Sequence, residues 1–332
     1  MPDKKYTIVT VVFFFEYDML LLQARSLHLY ASPDLIEKII VIDNSERRLS
    51  PAFQARLRDA YGQFSSRLEI IRARDIARIP RFDGWRTQQI LKLMVSRRIP
   101  GDRYIVLDAK NHLIFPLTRE AIEAEDGRPK THLQSYTDNP LRPHLERSLR
   151  YFGLDASSYV PSFTSSVTPF VLYTDIVRRL ITDVSGREKL PFERAFLQRR
   201  LTEFFLYASY IAKEEGPGLA ALYDFNQASC PCIWQHMASH SESQRAILQA
   251  QQCQSPFFAL HRLAAPKFDS VTRRMLAEFW VGKLLFRDSA EAESFLLKIA
   301  SESEAFSRSL RWRRLAKNMR NVFARLARQA SA

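Results

Sequence analysis

The chain of 332 residues carries 49 lysines and arginines against 36 aspartates and glutamates, a net charge of +13, with 46% hydrophobic and 26% charged residues. That is an ordinary globular composition, long enough for one large domain with an appendage or for two domains. Only 9 glycines occur, and neither the GxGxxG fingerprint nor a P-loop is present, which excludes the glycine-rich dinucleotide and phosphate loops.

The charge is uneven. Residues 305–332 hold eight lysines and arginines and no acid, so most of the excess sits in the tail and the body is mildly basic. A mildly basic body suits anionic substrates such as nucleotides or nucleotide-sugars. Three cysteines, Cys230, Cys232 and Cys253, give no disulfide framework and read as reduced thiols. Cys230 and Cys232 with His236 and His240 form a weaker zinc pattern, because the cysteine pair lacks the usual spacer. The apolar run Ile8–Phe15 is far short of the ~20 residues that span a bilayer and is closed by Glu16 and Asp18. It reads as a strand, and the expected location is the cytoplasm.

In chain order, Tyr6–Phe15 is predicted to be a buried strand and Leu20–Tyr30 a helix ending at Ser32-Pro33-Asp34. Lys38–Ile42 is a second strand, leading into Asp43-Asn44-Ser45. Pro51–Phe64 is a helix and Leu68–Ile71 a third strand. Gly84 opens the next helix, on which Trp85, Gln88, Gln89, Lys92 and Ser96 share one polar face. A turn at Pro100-Gly101-Asp102 leads to the strand Tyr104–Leu107, which stops at Asp108-Ala109-Lys110-Asn111-His112. Continuous apolar strands alternating with helices predict a mostly parallel sheet covered on both faces. Such a sheet brings Phe14–Glu16, Asp43–Ser45 and Asp108–Asn111 to one edge, where α/β proteins bind ligands.

Beyond Pro116 the pattern loosens. Thr118–Ala124 reads as a helix, Thr131–Tyr136 as a strand and Pro143–Phe152 as a helix. Tyr159–Tyr173 reads as a loop feeding a strand, with Asp175 capping a helix over Ile176–Ile181. Phe192–Ala212 is predicted to be one long helix carrying Glu203 among aromatic neighbours. A carboxylate there is a general-base candidate, although a solvated helix-face glutamate is the commoner case. Cys230–His236 and Phe257–Arg262 read as short strands, Val271–Phe286 as a helix, and an acidic helix surrounds Glu291–Glu304. On a helix from Trp312, residues Trp312, Leu315, Met319, Val322, Phe323 and Leu326 fall within roughly 100° of arc, opposite Arg313, Arg314, Lys317, Arg320, Arg325 and Arg328. That pattern suits an anionic membrane surface, with Trp312, Arg313, Arg314, Lys317, Arg320 and Phe323 as the contacting residues. A helix docked on its own domain is the alternative. No nucleic-acid-binding motif occurs.

Three segments, Gly84-Trp85 through Gln88-Gln89 to Lys92, Leu107-Asp108-Ala109-Lys110-Asn111, and Thr202-Glu203-Phe204-Phe205-Leu206-Tyr207, resemble a bacterial glycosyltransferase-like family long catalogued as a domain of unknown function. The likeness covers roughly residues 5–265. It implies a GT-A-like, Rossmann-like α/β domain over 1–265, beyond which the residues themselves read as a helical extension over 266–304 and a basic amphipathic helix over 305–332. It implies a nucleotide-sugar donor bound by Phe15, Glu16, Asp43, Asn44, Trp85, Gln88, Gln89, Lys92, Asp108, Lys110, Asn111 and His261, with Glu203 and Asp108 catalytic. The expected acceptor is a surface glycan or lipid-linked sugar, met at the inner face of the cytoplasmic membrane where the basic C-terminal helix would hold the chain. The family's Asp-x-Asp, which holds Mg2+ or Mn2+, reads here Asp108-Ala109-Lys110, so a metal at Asp108 and His261 is in question and fixed cations take its place. A degenerate scaffold that binds a glycan or protein is the alternative function.

Overall fold

A computed structural model of the chain describes residues 5–80, 84–214, 218–226 and 230–330, with side chains to 309. The chain divides into two compact units. The first comprises residues 1–231 and 248–259 and contains a five-stranded sheet.

Its first half alternates strand and helix: β1 (Tyr6–Val12), α1 (Tyr17–Tyr30), β2 (Ile36–Asp43), α2 (Pro51–Tyr61), β3 (Leu68–Arg72), α3 (Gly84–Met94) and β4 (Arg103–Asp108). Then follow α4 (Arg142–Tyr151), β5 (Phe170–Tyr173), α5 (Thr174–Glu188), α6 (Phe192–Gln198) and α7 (Glu203–Glu214). The spatial order is β3-β2-β1-β4-β5, parallel except for the antiparallel β4–β5 edge. The expected mostly parallel α/β sheet flanked by helices is therefore present. Every residue of β1 is buried, as strands covered on both faces must be. Val9 and Val11 pack with Ile90, Leu91, Leu93 and Met94 of α3 in one apolar cluster, each such side chain contributing about 2 kcal/mol. Thr10 faces the other way and donates to Gln23 of α1 (2.8 Å).

Chain order runs outward from β1 to β2 and β3, then returns to place β4 on the other side of β1. The crevice at that reversal is where open α/β sheets take ligands. Register sets Val12 of β1 opposite Asp43 and Val11 opposite Asp108, so the three polar strand ends do share an edge.

Several expected elements differ. β1 stops at Val12, and Phe14–Glu16 form a single 3-10 turn closed by Glu16 N–H on the Phe13 carbonyl (2.8 Å). The helix at 118–124 is one turn, Arg119–Ile122, and the strand at 131–136 is only Leu133–Gln134. The strands at 230–236 and 257–262 reduce to Cys232–Ile233 and Phe257–Leu260. Asp175 is no cap: α5 starts at Thr174, and Asp175 lies inside its first turn, paired with Arg178 (3.1 Å).

The largest departure concerns Phe192–Ala212, which is two helices. Arg200 adopts a left-handed conformation (φ 54°), while Leu201 N–H reaches back to the Phe196 carbonyl (3.0 Å) and Arg200 N–H to Leu197 (3.1 Å). This is the hydrogen-bond pattern that ends helices, usually with glycine at the left-handed position. Glu203 thus opens α7 rather than riding mid-helix.

The second unit comprises residues 232–247 and 260–332. It contains α8 (Ser270–Gly282) and a 42-residue helix, α9 (Ser289–Ala330). Trp280 is fully buried, against Phe286 (5.6 Å) and Phe295 (5.8 Å). The acidic and basic stretches expected as separate helices are one continuous helix. The side chains of Trp312, Arg313, Arg314, Lys317, Arg320 and Phe323 lie outside the described residues. No described helix is long and apolar enough to cross a membrane.

Candidate active site

Asp108 ends β4, and its carboxylate sits between two ammonium groups. Lys92 Nζ of α3 approaches Oδ1 (2.7 Å), and Lys110 Nζ binds Oδ2. Lys92 also reaches Glu203 Oε1 (3.4 Å) at the start of α7 and lies 5.5 Å from the Phe204 ring centroid. One buried lysine therefore joins two carboxylates that are far apart in the chain. Tyr104 of β4 donates its hydroxyl to the Lys92 carbonyl (2.9 Å), fastening α3 to the sheet beneath.

The remaining Glu203 oxygen is matched by Gln89. With the amide assigned so that both ends are satisfied, Gln89 donates to Glu203 Oε2 (2.9 Å) and accepts from the Trp85 indole (3.2 Å). One turn of α3 separates Trp85 from Gln89 and nearly another separates Gln89 from Lys92, which is why one helix face reads Trp-Gln-Lys.

The Asp108 turn is held from below. Gln23 donates to the carbonyls of Asp108 (2.8 Å) and Asn111 (2.9 Å). Asn111, fully buried, accepts from the Asp108 backbone N–H (2.8 Å) and the Thr168 hydroxyl (2.7 Å). Residues Asn111–Leu113 pair antiparallel with Phe257–Ala259. Asn111 thus shapes the turn that carries Asp108.

The electrostatics separate the two acids. Burial pushes the Glu203 carboxyl up to about 7, against the pull of Lys92. Burial also raises Asp108, but Lys110 and Lys92 outweigh it and hold this carboxyl well below its usual range. Burial would lower Lys92, and its two carboxylate neighbours instead hold it above the ordinary lysine value. Near neutral pH the cluster contains two cations, one firm anion and one carboxyl poised to exchange a proton. That combination can attract a phosphate-type anion and accept a proton from a hydroxyl.

A divalent cation does not fit these residues. Both Asp108 oxygens already carry an ammonium, and Lys110 stands where a second carboxylate would be needed. Among the described residues no three of His, Cys, Asp and Glu cluster as a metal set. His261 belongs to the second unit, its ring against Trp234 (5.8 Å) and its Nδ1 accepting from Leu263 N–H (3.3 Å).

At the β2 end, Asp43 is buried and used internally. Its oxygens accept from Ser45 N–H (3.0 Å), Leu49 N–H (3.2 Å), the Tyr17 hydroxyl (3.2 Å) and Arg72. Asp43 thus anchors the loop that follows β2. Asn44 N–H donates to the Val12 carbonyl (2.8 Å), tying the β1 and β2 ends together. The Phe14 and Phe15 rings lie tilted at 39° with centroids 3.9 Å apart, and Phe14 is half exposed. Beside Asp43 opens a cavity of about 230 Å³ lined also by Arg48, Gln54, Ile70 and Arg72. Glu16 lies in the turn after β1, and Gln88 is half-buried next to Gln89. Sequence reasoning placed Phe14 at this edge within Phe14–Glu16 and missed Gln23 and Arg72, which no motif marks.

The architecture and this edge define an α/β protein with a buried acid–lysine cluster at the carboxyl ends of its parallel strands. The chain belongs to DUF6492, described as a family of unknown function, which matches residues 17–257. No curated protein matches it. Among solved structures it is similar to an active-site mutant of LgtC, at 15% identity over 63% of this chain and 70% of that one, TM-score 0.42. It is also similar to the apo form of the glycosyltransferase GlyE of Streptococcus pneumoniae TIGR4, at 11% identity over 92% of this chain and 64% of that one, TM-score 0.40. A third is glucosyl-3-phosphoglycerate synthase from Mycobacterium tuberculosis with Mn2+, UDP and phosphoglyceric acid, at 13% identity over 52% of this chain and 57% of that one, TM-score 0.33.

Proposed function

We propose that this protein is a glycosyltransferase that moves a sugar from a nucleotide-activated donor to a hydroxyl acceptor. The observation that carries the reading is the buried chain Asp108–Lys92–Glu203 at the ligand-binding edge of the sheet. Sugar transfer needs a cation where the leaving phosphate gathers charge and a base where the acceptor loses a proton. Lys110 and Lys92 supply the first, oriented by Asp108. Glu203 supplies the second, with its carboxyl at about 7.

A single base acting on the acceptor suits inversion at the sugar carbon. Fixed cations in place of a divalent ion suit a metal-independent site, and the double ammonium on Asp108 supports that choice. The half-exposed Phe14 and neighbouring Phe15 offer ring faces for the donor base. The test is release of nucleoside diphosphate from a panel of UDP-, GDP- and dTDP-sugars by the purified protein. Glu203→Gln is expected to abolish at least 99% of it, on the order of the effect of losing a general base. Undiminished release by the variant would refute the assignment.

We further propose that the acceptor is a surface glycan or lipid-linked sugar met at the inner face of the cytoplasmic membrane. The support is the basic, apolar-striped sequence of 305–332, which up to residue 330 lies within α9. A chain lacking residues 305–332 should no longer sediment with anionic vesicles, and retained binding would exclude the tail as the anchor. The second reading, a non-catalytic glycan- or protein-binding scaffold, is favoured by one feature, the lysine where the resembling enzymes place a second aspartate. It predicts no diphosphate release from any donor.

A further inference from the structure

On the Oε2 side of Glu203 lies a cluster that the transfer chemistry above does not use. Trp85 is 47% exposed, yet its indole is wired through Gln89 to the Glu203 carboxylate. The His144 ring of α4 packs edge-on against it, centroids 5.3 Å apart. His144 Nδ1 is 3.3 Å from the hydroxyl of Thr202, the residue before Glu203. The Arg86 guanidinium lies 5.5 Å from the Trp85 ring centroid. Arg147, three residues along α4 from His144, extends to the Arg200 carbonyl (3.4 Å). The acid beside it, Glu146, is paired with Arg142 and Arg150 instead.

We infer that Trp85, His144, Arg86 and Arg147 form the acceptor subsite, and that the acceptor is a sugar bearing an anionic group, a phosphate or a carboxylate. This rests on reading Glu203 as the base of a sugar transferase. An exposed indole face receives the C–H face of a sugar ring, one polar side chain fixes a hydroxyl, and guanidinium forks match phosphate or carboxylate. Burial, then Arg147 and Arg86, pull the His144 ring below its ordinary value, so it meets a sugar hydroxyl as a neutral donor and acceptor. A ring seated on Trp85 lies beside Gln89, whose amide is bonded to Glu203 Oε2, and so on the base's side of the cluster.

The test is calorimetric titration of the full chain with methyl glucoside, methyl glucuronide, methyl glucoside 6-phosphate and inorganic phosphate. It is run on wild type, W85A and R147Q, with nucleotide-sugar binding and melting temperature measured in parallel. Charged glycosides should bind about tenfold or more tighter than the neutral one, R147Q should erase most of that preference, and W85A should weaken all three glycosides. The ratio of the glucuronide to the phosphate names the anion, and phosphate alone should bind weakly. Equal affinity for charged and neutral glycosides, or a preference unchanged in R147Q, overturns the subsite. Charged-glycoside binding without any nucleotide-sugar binding overturns the transferase reading and keeps the anionic-sugar site. The reverse pattern does the opposite, and failure of both removes both.

Discussion

Replacing Glu203 with glutamine separates the site's electrostatics from everything else in the chain. In the native protein this carboxyl titrates at about 7 because burial penalises its charge, against an ordinary value of 4.5. The folded chain therefore holds the proton more tightly than the unfolded chain. The stability tied to it is complete below about pH 4.5 and is lost as pH rises through 7. Two and a half pH decades at about 1.4 kcal/mol each amount to roughly 3.5 kcal/mol. The Asp108 shift has the opposite sign, but it withdraws stability only below that carboxyl's ordinary range, outside this window. Glutamine keeps the shape and the Gln89 contact, and Lys92 keeps Asp108 at 2.7 Å. Urea unfolding of both proteins at pH 5, 6, 7 and 8 should show the variant gaining on wild type by about 2 to 3 kcal/mol across the series. A difference that does not change with pH, or wild type gaining on the variant, would refute the buried, proton-poised carboxyl.

Three further outcomes are expected. Lys110→Asp removes an ammonium from Asp108 and supplies a second carboxylate, so Mn2+ should raise the melting temperature of K110D by a few degrees and leave wild type unmoved. Gln23→Leu strands the Thr10 hydroxyl and two buried carbonyls, so urea unfolding should register a loss of about 2 to 4 kcal/mol. Arg200→Gly relieves a left-handed, exposed position at the α6–α7 break, and thermal unfolding should show a gain of up to about 1 kcal/mol.

The sheet was legible because its strands are nearly unbroken apolar runs, and the binding edge because each of three runs ends in Asp or Phe-Glu. The polar face of α3 was legible from its periodicity alone, and it does carry Trp85, Gln89 and Lys92 to the site. Other features leave no local signal. No glycine or proline marks the turn at Arg200, so the chain read as one helix and Glu203 as a mid-helix residue. Asp43 reads as a ligand contact because it ends a buried strand, and nothing local shows that the Ser45–Leu49 loop also folds back to donate to its oxygens. His144 lies far from Trp85 in sequence, and only the packing of α4 brings them together.

In the proposed transferase, Lys92 and Lys110, held by Asp108, bind the donor's diphosphate without a metal ion. Calorimetry with UDP-, GDP-, dTDP- and CMP-linked sugars, each in EDTA and in Mn2+, tests it most directly. One nucleotide diphosphate class should bind clearly in EDTA, and Lys110→Ala should weaken that binding about tenfold or more. Binding by no nucleotide-sugar, or binding that appears only with Mn2+, would contradict it.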